Sequence, residues 1–161
     1  MNILKGKTKA ALLQIVEWQL GVMESPAGSN HVKYNTAYYG KEVAGAAYPW
    51  CMAFVWWCFR EAGFSLYKTA SCTDFVSQYK RVSLTQIVKK DFKPGDIVFF
   101  DFSGKRAKTE HVGIVVSVGG GYVYTIEGNT GAGNDANGGA VQKRKRGLDL
   151  ITVGVRPNYP D

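Results

Sequence analysis

Histidine and cysteine are scarce in this chain. There are two histidines, His31 and His111, and three cysteines, Cys51, Cys58 and Cys72. An odd number of cysteines excludes a complete disulfide framework. No C-x-x-C pair occurs, so zinc sites of that spacing are excluded too. On one helix, Cys51 and Cys58 would stand two turns apart, roughly 10 Å along the axis, too far for an S–S bond. No apolar run is long enough for a transmembrane helix. The apolar N-terminal stretch AALLQIVEWQL is interrupted by Gln14, Glu17 and Gln19. That suits an amphipathic helix and makes a poor signal peptide, so synthesis and folding in the cytoplasm are expected. Internal repeats are absent, and so are helix-turn-helix, RNA-binding and P-loop patterns.

Acidic residues are the minority charge: 13 against 20 basic, a formal net charge of +7. This favours an anionic partner such as nucleic acid, an acidic membrane or a phosphate-bearing cell wall, without choosing among them. Nine tyrosines and four tryptophans hint at a surface that stacks on something flat or sugary. With 161 residues the chain suits one domain with a substantial core.

The pattern along the chain places helices first. Leu12, Leu13, Val16 and Leu20 form a stripe over residues 8–22. ESPAGSN reads as a loop, and HVKYNTAYYGKEVAGAAYP as a long ordered loop with one short helix. A helix is expected over 51–62, ended by Gly63, and another over 73–80, capped by Ser71 or Thr73. The second half turns β-rich: KPGD is a turn, then IVFFDF, HVGIVVSV, a triple-glycine turn, YVYTIEGN, VQKRKRG and ITVGVRP. Helices followed by an antiparallel sheet is the α+β pattern.

The most informative segment is YPWCMAFVWWCFREAG, Tyr48 to Gly63. Cys58 lies inside a run apolar on every side and reads as a core thiol. Cys51 is placed differently. Pro49 cannot sit within a helix and disfavours helical geometry in Tyr48, so the helix starts near Trp50 or Cys51. The unpaired N–H groups and positive dipole end at a helix start favour a thiolate. Cys72, after TAS, reads as a structural thiol near a helix start.

A cysteine nucleophile needs a base, and the base needs an orienting group. His31 sits in a polar loop and reads as a solvated surface residue. His111 begins the strand HVGIVV, where a rigid strand can hold it at a site. The hairpin turn at Gly119–Gly121 sets His111 opposite position 128 or 129, within a step or two of Glu127 and Asn129. Regular alternation puts those two on one face. Glu127 would fix the imidazole tautomer; Asn129 would donate to an oxyanion or help orient the ring. Tyr48 and Trp50 flank the nucleophile and are candidates for lining a substrate groove, with core packing as the competing reading. Asp96 reads as a turn residue, and Glu110 should point away from His111. KRKR at 143–146 reads as a solvated edge strand.

With YPWC opening a helix, KPGDIVFF leading into a sheet, and HVGIVVSV with YVYTIEGN after it, the chain resembles the CHAP family. These are the cysteine, histidine-dependent amidohydrolases/peptidases, similar in architecture to papain and to the NlpC/P60 hydrolases. The likeness covers roughly residues 10–156. It implies a papain-like α+β fold with N-terminal helices packed on a C-terminal antiparallel β-sheet. Cys51 is the implied nucleophile, His111 the base and Glu127 the orienting acid; Asn129 matches the family's polar fourth residue. The implied substrate is an amide bond of bacterial peptidoglycan, cut by an amidase or endopeptidase of the phage-lysin type. Such a lysin is made without a signal peptide and reaches the wall after release. A wall-binding domain beyond residue 161 of a longer chain would be in keeping with the family.

The stretch KEVAGAAYPWC has one Glu and no Asp, so no calcium site is expected there. No cofactor or other metal is expected. The expected partners are peptidoglycan and, through the basic surface, anionic wall polymers. A monomer is expected that neither binds nucleic acid nor inserts into a membrane. Two rival readings stand beside this one: a papain-like protease or toxin acting on protein, and a non-catalytic basic binding module.

Overall fold

Pro49 and the apolar run behind it produce the helix around which the molecule is built. In a computed structural model describing residues 7–81 and 86–161, helix α3 spans Cys51–Glu61 and is preceded by α1, Lys9–Trp18, and α2, Lys33–Tyr39. Helix α4, Cys72–Arg81, follows. Every α3 residue from Cys51 to Phe59 except Trp57 is buried, as an all-apolar helix requires. Burying Met52, Phe54, Val55 and Phe59 supplies about 1.5–3 kcal/mol each against leaving them in water.

The helix boundaries follow local chemistry. Thr8 caps α1, its hydroxyl accepting from the Ala11 N–H at 3.1 Å. The Asp161 carboxylate accepts from the Lys9 and Ala10 N–H groups of the same turn, at 2.7 and 3.2 Å. Helix α1 stops at Trp18, short of residue 22, because Gly21 turns away with φ 91° and donates its N–H to Val141. Ser71 caps α4, accepting from the Asp74 N–H at 3.1 Å.

Among the described residues six strands form one antiparallel sheet: β1, Gln86–Val88; β2, Ile97–Phe100; β3, His111–Gly119; β4, Tyr122–Thr130; β5, Ala140–Gly147; and β6, Ile151–Arg156. Their spatial order is β1-β6-β2-β3-β4-β5. The short β1 carries too little pattern to be read from sequence. Strand β2 explains its own unbroken apolarity: Ile97 and Phe99 face the helices, Val98 and Phe100 a second cluster with Val115, Val123 and Ile151. A strand covered on both faces has no polar side to alternate with. The architecture is the α+β arrangement expected. Asp96 does more than close a turn: besides accepting from Lys93 N, it is buried and clamped by both Nε and Nη2 of Arg156, at 2.8 and 2.9 Å.

Two glycines set how closely the layers meet. A Cβ on Gly128 of β4 would lie 2.6 Å from Phe54 Cβ and 3.0 Å from a Trp50 ring carbon. The absent side chain lets α3 lie directly on β4. On β3, a Cβ on Gly113 would lie 2.8 Å from Glu127 Cγ. The Glu127 side chain occupies the space a larger residue would fill.

Candidate active site

Cys51 is the first residue of α3, so its sulfur stands at the helix's positive end, with the Met52 N–H bonded to it. The preceding residue is firmly anchored. Trp50 is fully buried, stacks on Tyr34 at 5.5 Å between centroids, and donates its indole N–H to Glu24 Oε2 at 3.0 Å. Asn35 donates to the Tyr48 carbonyl at 2.9 Å and pins the segment leading to the helix. Trp50 thus lines no groove, contrary to one sequence reading: its ring is core, and its contribution is to hold the backbone next to Cys51. Tyr48 is half-buried, with its ring edge against Tyr39 at 5.0 Å.

His111 is the first residue of β3, directly across from Phe100 of β2. Its ring packs against the stacked pair Phe100 and Phe102, with centroids at 6.2 and 5.8 Å, and is wholly buried. Nε2 meets Glu127 Oε1 at 2.9 Å. Nδ1 is buried without a hydrogen-bond partner of normal geometry. The Cys51 thiol is a neighbouring group that interacts with the ring. The pair is therefore adjacent but not tightly bonded, as catalytic pairs often are without substrate. His31 is engaged elsewhere, between the Ser25 carbonyl and Glu42. Glu110 accepts from the Phe102 N–H.

Glu127 is reached diagonally across the hairpin. Ile114 pairs with Ile126, and the Glu127 side chain passes over Gly113 toward His111. Its carboxylate is fully buried and fully engaged. It also accepts from the Thr125 hydroxyl and from Arg146, whose Nη2 lies 2.6 Å from Oε1 and Nε 3.0 Å from Oε2. Arg146 Nη1 continues to Asp135 Oδ1 at 2.8 Å, and the guanidinium carbon stands 4.8 Å from the Phe102 ring centre.

Reading KRKR as a solvated edge strand is half right. Strand β5 is an edge, and Lys143 and Lys145 are exposed, but Arg146 turns inward and is 4% exposed. Alternation separates Arg144 and Arg146 from the lysines, and that period was the available signal. A planar bidentate fork is what a buried carboxylate needs, and lysine does not supply it.

Asn129 does not take the place alternation assigns it. The β4–β5 ladder shifts register between Glu127 and Thr130, and Asn129 adopts φ 57°. A bulge breaks the two-residue period. Its Nδ2 donates to Asn137 Oδ1 at 3.1 Å, and its Oδ1 accepts from the Gly139 N–H at 3.1 Å. The amide ties down the Gly/Asn loop, while the imidazole is oriented by Glu127.

Cys72 was expected to be merely structural. The fold brings its sulfur to 4.0 Å from that of Cys51. Sequence offers no signal for this contact, because the two residues belong to different helices.

The charges follow from these contacts. The Cys51 thiol is held well below its usual range, chiefly by hydrogen bonding from Cys72; burial opposes this, and the His111 imidazole and the Met52 N–H reinforce it. Burial alone would push His111 down, but Cys51 and Glu127 outweigh it and raise it to about 9. Burial likewise opposes ionisation of Glu127, yet His111 and Arg146 bring it down to about 2. The set is built for a thiolate–imidazolium pair backed by a carboxylate–guanidinium pair.

Gly113→Ala tests the packing beneath this line. The new Cβ would press on Glu127 Cγ, so the carboxylate must move off His111. We expect about 1–3 kcal/mol of destabilisation by denaturant melting. Turnover should fall roughly 10–100-fold, since a misplacement of order 1 Å suffices for such a loss.

Among known proteins, the model of the CHAP domain matches residues 43–129, more than half of the chain. Of solved structures, the wild-type endolysin LysIME-EF1 is similar at a TM-score of 0.64 and 14% identity, covering 95% of this chain and 65% of that one. Ly7917 is similar at 0.55 and 17%, covering 93% and 62%. Its complex with the hydrolyzing product of MDP gives 0.54 and 16%, covering 93% and 63%. The chain thus spans less than two thirds of the length of these proteins, and at such identities the likeness is one of fold. A comparison with curated proteins finds no match. Cys51, His111 and Glu127 all fall inside the segment the family model matches, and the chain belongs to the CHAP domain family.

Proposed function

We propose that this chain hydrolyses an amide bond of bacterial peptidoglycan by thiol catalysis, as an amidase or endopeptidase of a phage or prophage lysin. The observation that carries the reading is the line Cys51, His111, Glu127, Arg146: a buried thiol at a helix start, next to an imidazole fixed by a doubly held carboxylate.

In the mechanism, His111 Nδ1 takes the Cys51 proton while Nε2–H stays on Glu127. The thiolate attacks the scissile carbonyl, and the oxyanion is held by the Cys51 backbone N–H at the head of α3. The imidazolium then gives its proton to the leaving amine, forming a thioester. Water, activated by the same imidazole, cleaves the thioester and restores the thiol. Glu127 keeps its charge throughout and stabilises each imidazolium. The fold similarity to an endolysin and to a protein crystallised with a hydrolysis product supports a wall substrate.

The test is digestion of purified cell walls followed by mass analysis of the released ends. New amino and carboxyl termini without new reducing sugar ends are expected, and their identity separates amidase from endopeptidase. Cleavage of protein substrates with walls left intact would overturn the reading in favour of a proteolytic one.

A pH profile adds a second check. With His111 raised to about 9 and Cys51 lowered, the ion pair persists across the neutral range. Single-turnover rates should therefore hold through neutrality and fall as pH rises through about 9, where the imidazolium loses its proton. A decline centred near the ordinary histidine value, about 6.5, would contradict the geometry.

A further inference from the structure

We propose that Cys72 is a resolving thiol: on two-electron oxidation by a hydroperoxide, Cys51 and Cys72 join in a reversible disulfide that closes the active site. For its activity readout this rests on Cys51 being the nucleophile; for its covalent readout it does not.

The two sulfurs are 4.0 Å apart and both thiols are free. Each cysteine is the first residue of its helix, α3 and α4. The contact is held from the α4 side as well. Ser71 caps the turn that starts at Cys72, and Thr73 hydrogen-bonds Thr109, two residues before His111, at 2.8 Å. An S–S bond requires closing to about 2.0 Å, a change within reach of side-chain rotation and a small shift of the α4 start. Cys58 takes no part, being fully buried inside α3.

The two thiols have divided roles. Cys51 is the more acidic and Cys72 is raised, mainly by its hydrogen bond to Cys51, so the thiolate resides on Cys51. Its sulfur attacks one peroxide oxygen. An S–O bond forms, the O–O bond breaks, and hydroxide leaves, taking a proton from His111. Cys51 is now a sulfenic acid, oxidised by two electrons, and the peroxide is reduced to water. Cys72 sulfur then attacks the sulfenic sulfur. The S–S bond forms, the S–O bond breaks, and the Cys72 proton leaves with the hydroxide as a second water. A dithiol returns both sulfurs to thiols by exchange. The device would shield the nucleophile from irreversible sulfinic oxidation.

The experiment treats the full chain with a few equivalents of hydrogen peroxide, then with dithiothreitol. It follows intact mass, non-reduced peptide mapping and wall hydrolysis. Expected is a mass loss of two hydrogens, a Cys51–Cys72 cross-linked peptide, and an activity loss of about tenfold or more that the reductant reverses. Cys58→Ala should give the same cross-link. Cys72→Ser, measured against its own untreated activity, should form no cross-link; under excess peroxide its Cys51 should go on to the sulfinic acid, gaining two oxygens, and stay inactive after reductant while the wild type recovers. Oxygen addition to the wild type with no cross-linked peptide would overturn the proposal, and so would Cys72→Ser recovering as fully as the wild type after excess peroxide. If the untreated chain leaves walls intact yet cross-links as described, the functional reading fails and the thiol pairing stands.

Discussion

Cys51→Ala is expected to lower wall hydrolysis by roughly 10⁴-fold or more, the loss usual when the nucleophile of a concerted triad is removed. The fold should survive. Cys51 sits at the head of α3, and what changes is one sulfur, while Trp50, Phe54 and Gly128 keep the helix against β4. A shift in melting temperature within about 5 °C is expected. Cys51→Ser should lose as much. A serine hydroxyl does not ionise under the influence of an imidazole whose own affinity for protons has been raised only to about 9. His111→Ala should abolish turnover to a similar degree but at a greater cost in stability. It empties a fully buried site against the stacked Phe100 and Phe102. About 2–4 kcal/mol is expected from the cavity. Folding must therefore be measured alongside activity, and Cys51→Ala is the cleaner of the two. Clearing of walls by the Cys51→Ala chain at even a tenth of the normal rate would remove the basis of the thiol mechanism.

Glu127→Gln carries the second large effect. Glutamine keeps the volume and one acceptor but removes the charge that His111 and Arg146 share. Turnover is expected to drop about 10³–10⁴-fold, in line with loss of the orienting carboxylate from a triad. The residual activity should show a basic limb moved from about 9 toward the unperturbed imidazole value. A purely structural role for Glu127 would lower the rate without moving that limb. Stability responds too. Glu127 is depressed to about 2 in the fold, so its contribution is fully present above the unfolded carboxylate value, near 4.5. That contribution fades as pH falls through about 2. Glu127→Gln should therefore be less stable at neutral pH, by about 3–5 kcal/mol, since Arg146 is left with a buried charge only Asp135 opposes. The difference between the two chains should narrow progressively on acidification below 4.5.

What could be read before the fold was known divides along a physical line. Pro49 and the apolar run fixed a helix start at Cys51; the strand HVGIVV fixed a rigid place for His111; the triple-glycine turn brought Glu127 near it. Each of these is a local pattern with a stereochemical cause. Arg146 escaped because a run of basic residues carries almost no information about which one is desolvated. That depends on the partner strand, where Glu127 waits. Cys72 escaped because its contact with Cys51 arises from the docking of two helices, which no periodicity encodes. The contacts of Asn129 were not legible because a bulge, invisible in the residue pattern, reset the alternation after Glu127 and set its amide on Asn137 and Gly139. Trp50 was left open between groove and core for a related reason: a tryptophan beside Cys51 suits either a groove or an anchor, and its burial and hydrogen bond to Glu24 make it an anchor.

The Asp161 carboxylate and the first turn of α1, 152 residues apart in sequence, meet at one corner of the molecule. A rearranged gene could therefore bridge that corner with a short peptide and open new ends in an exposed connection, leaving the order of neighbours in space untouched. Because β6 lies between β1 and β2, trimming β6 back from Arg156 would cut β1 off from the other four strands.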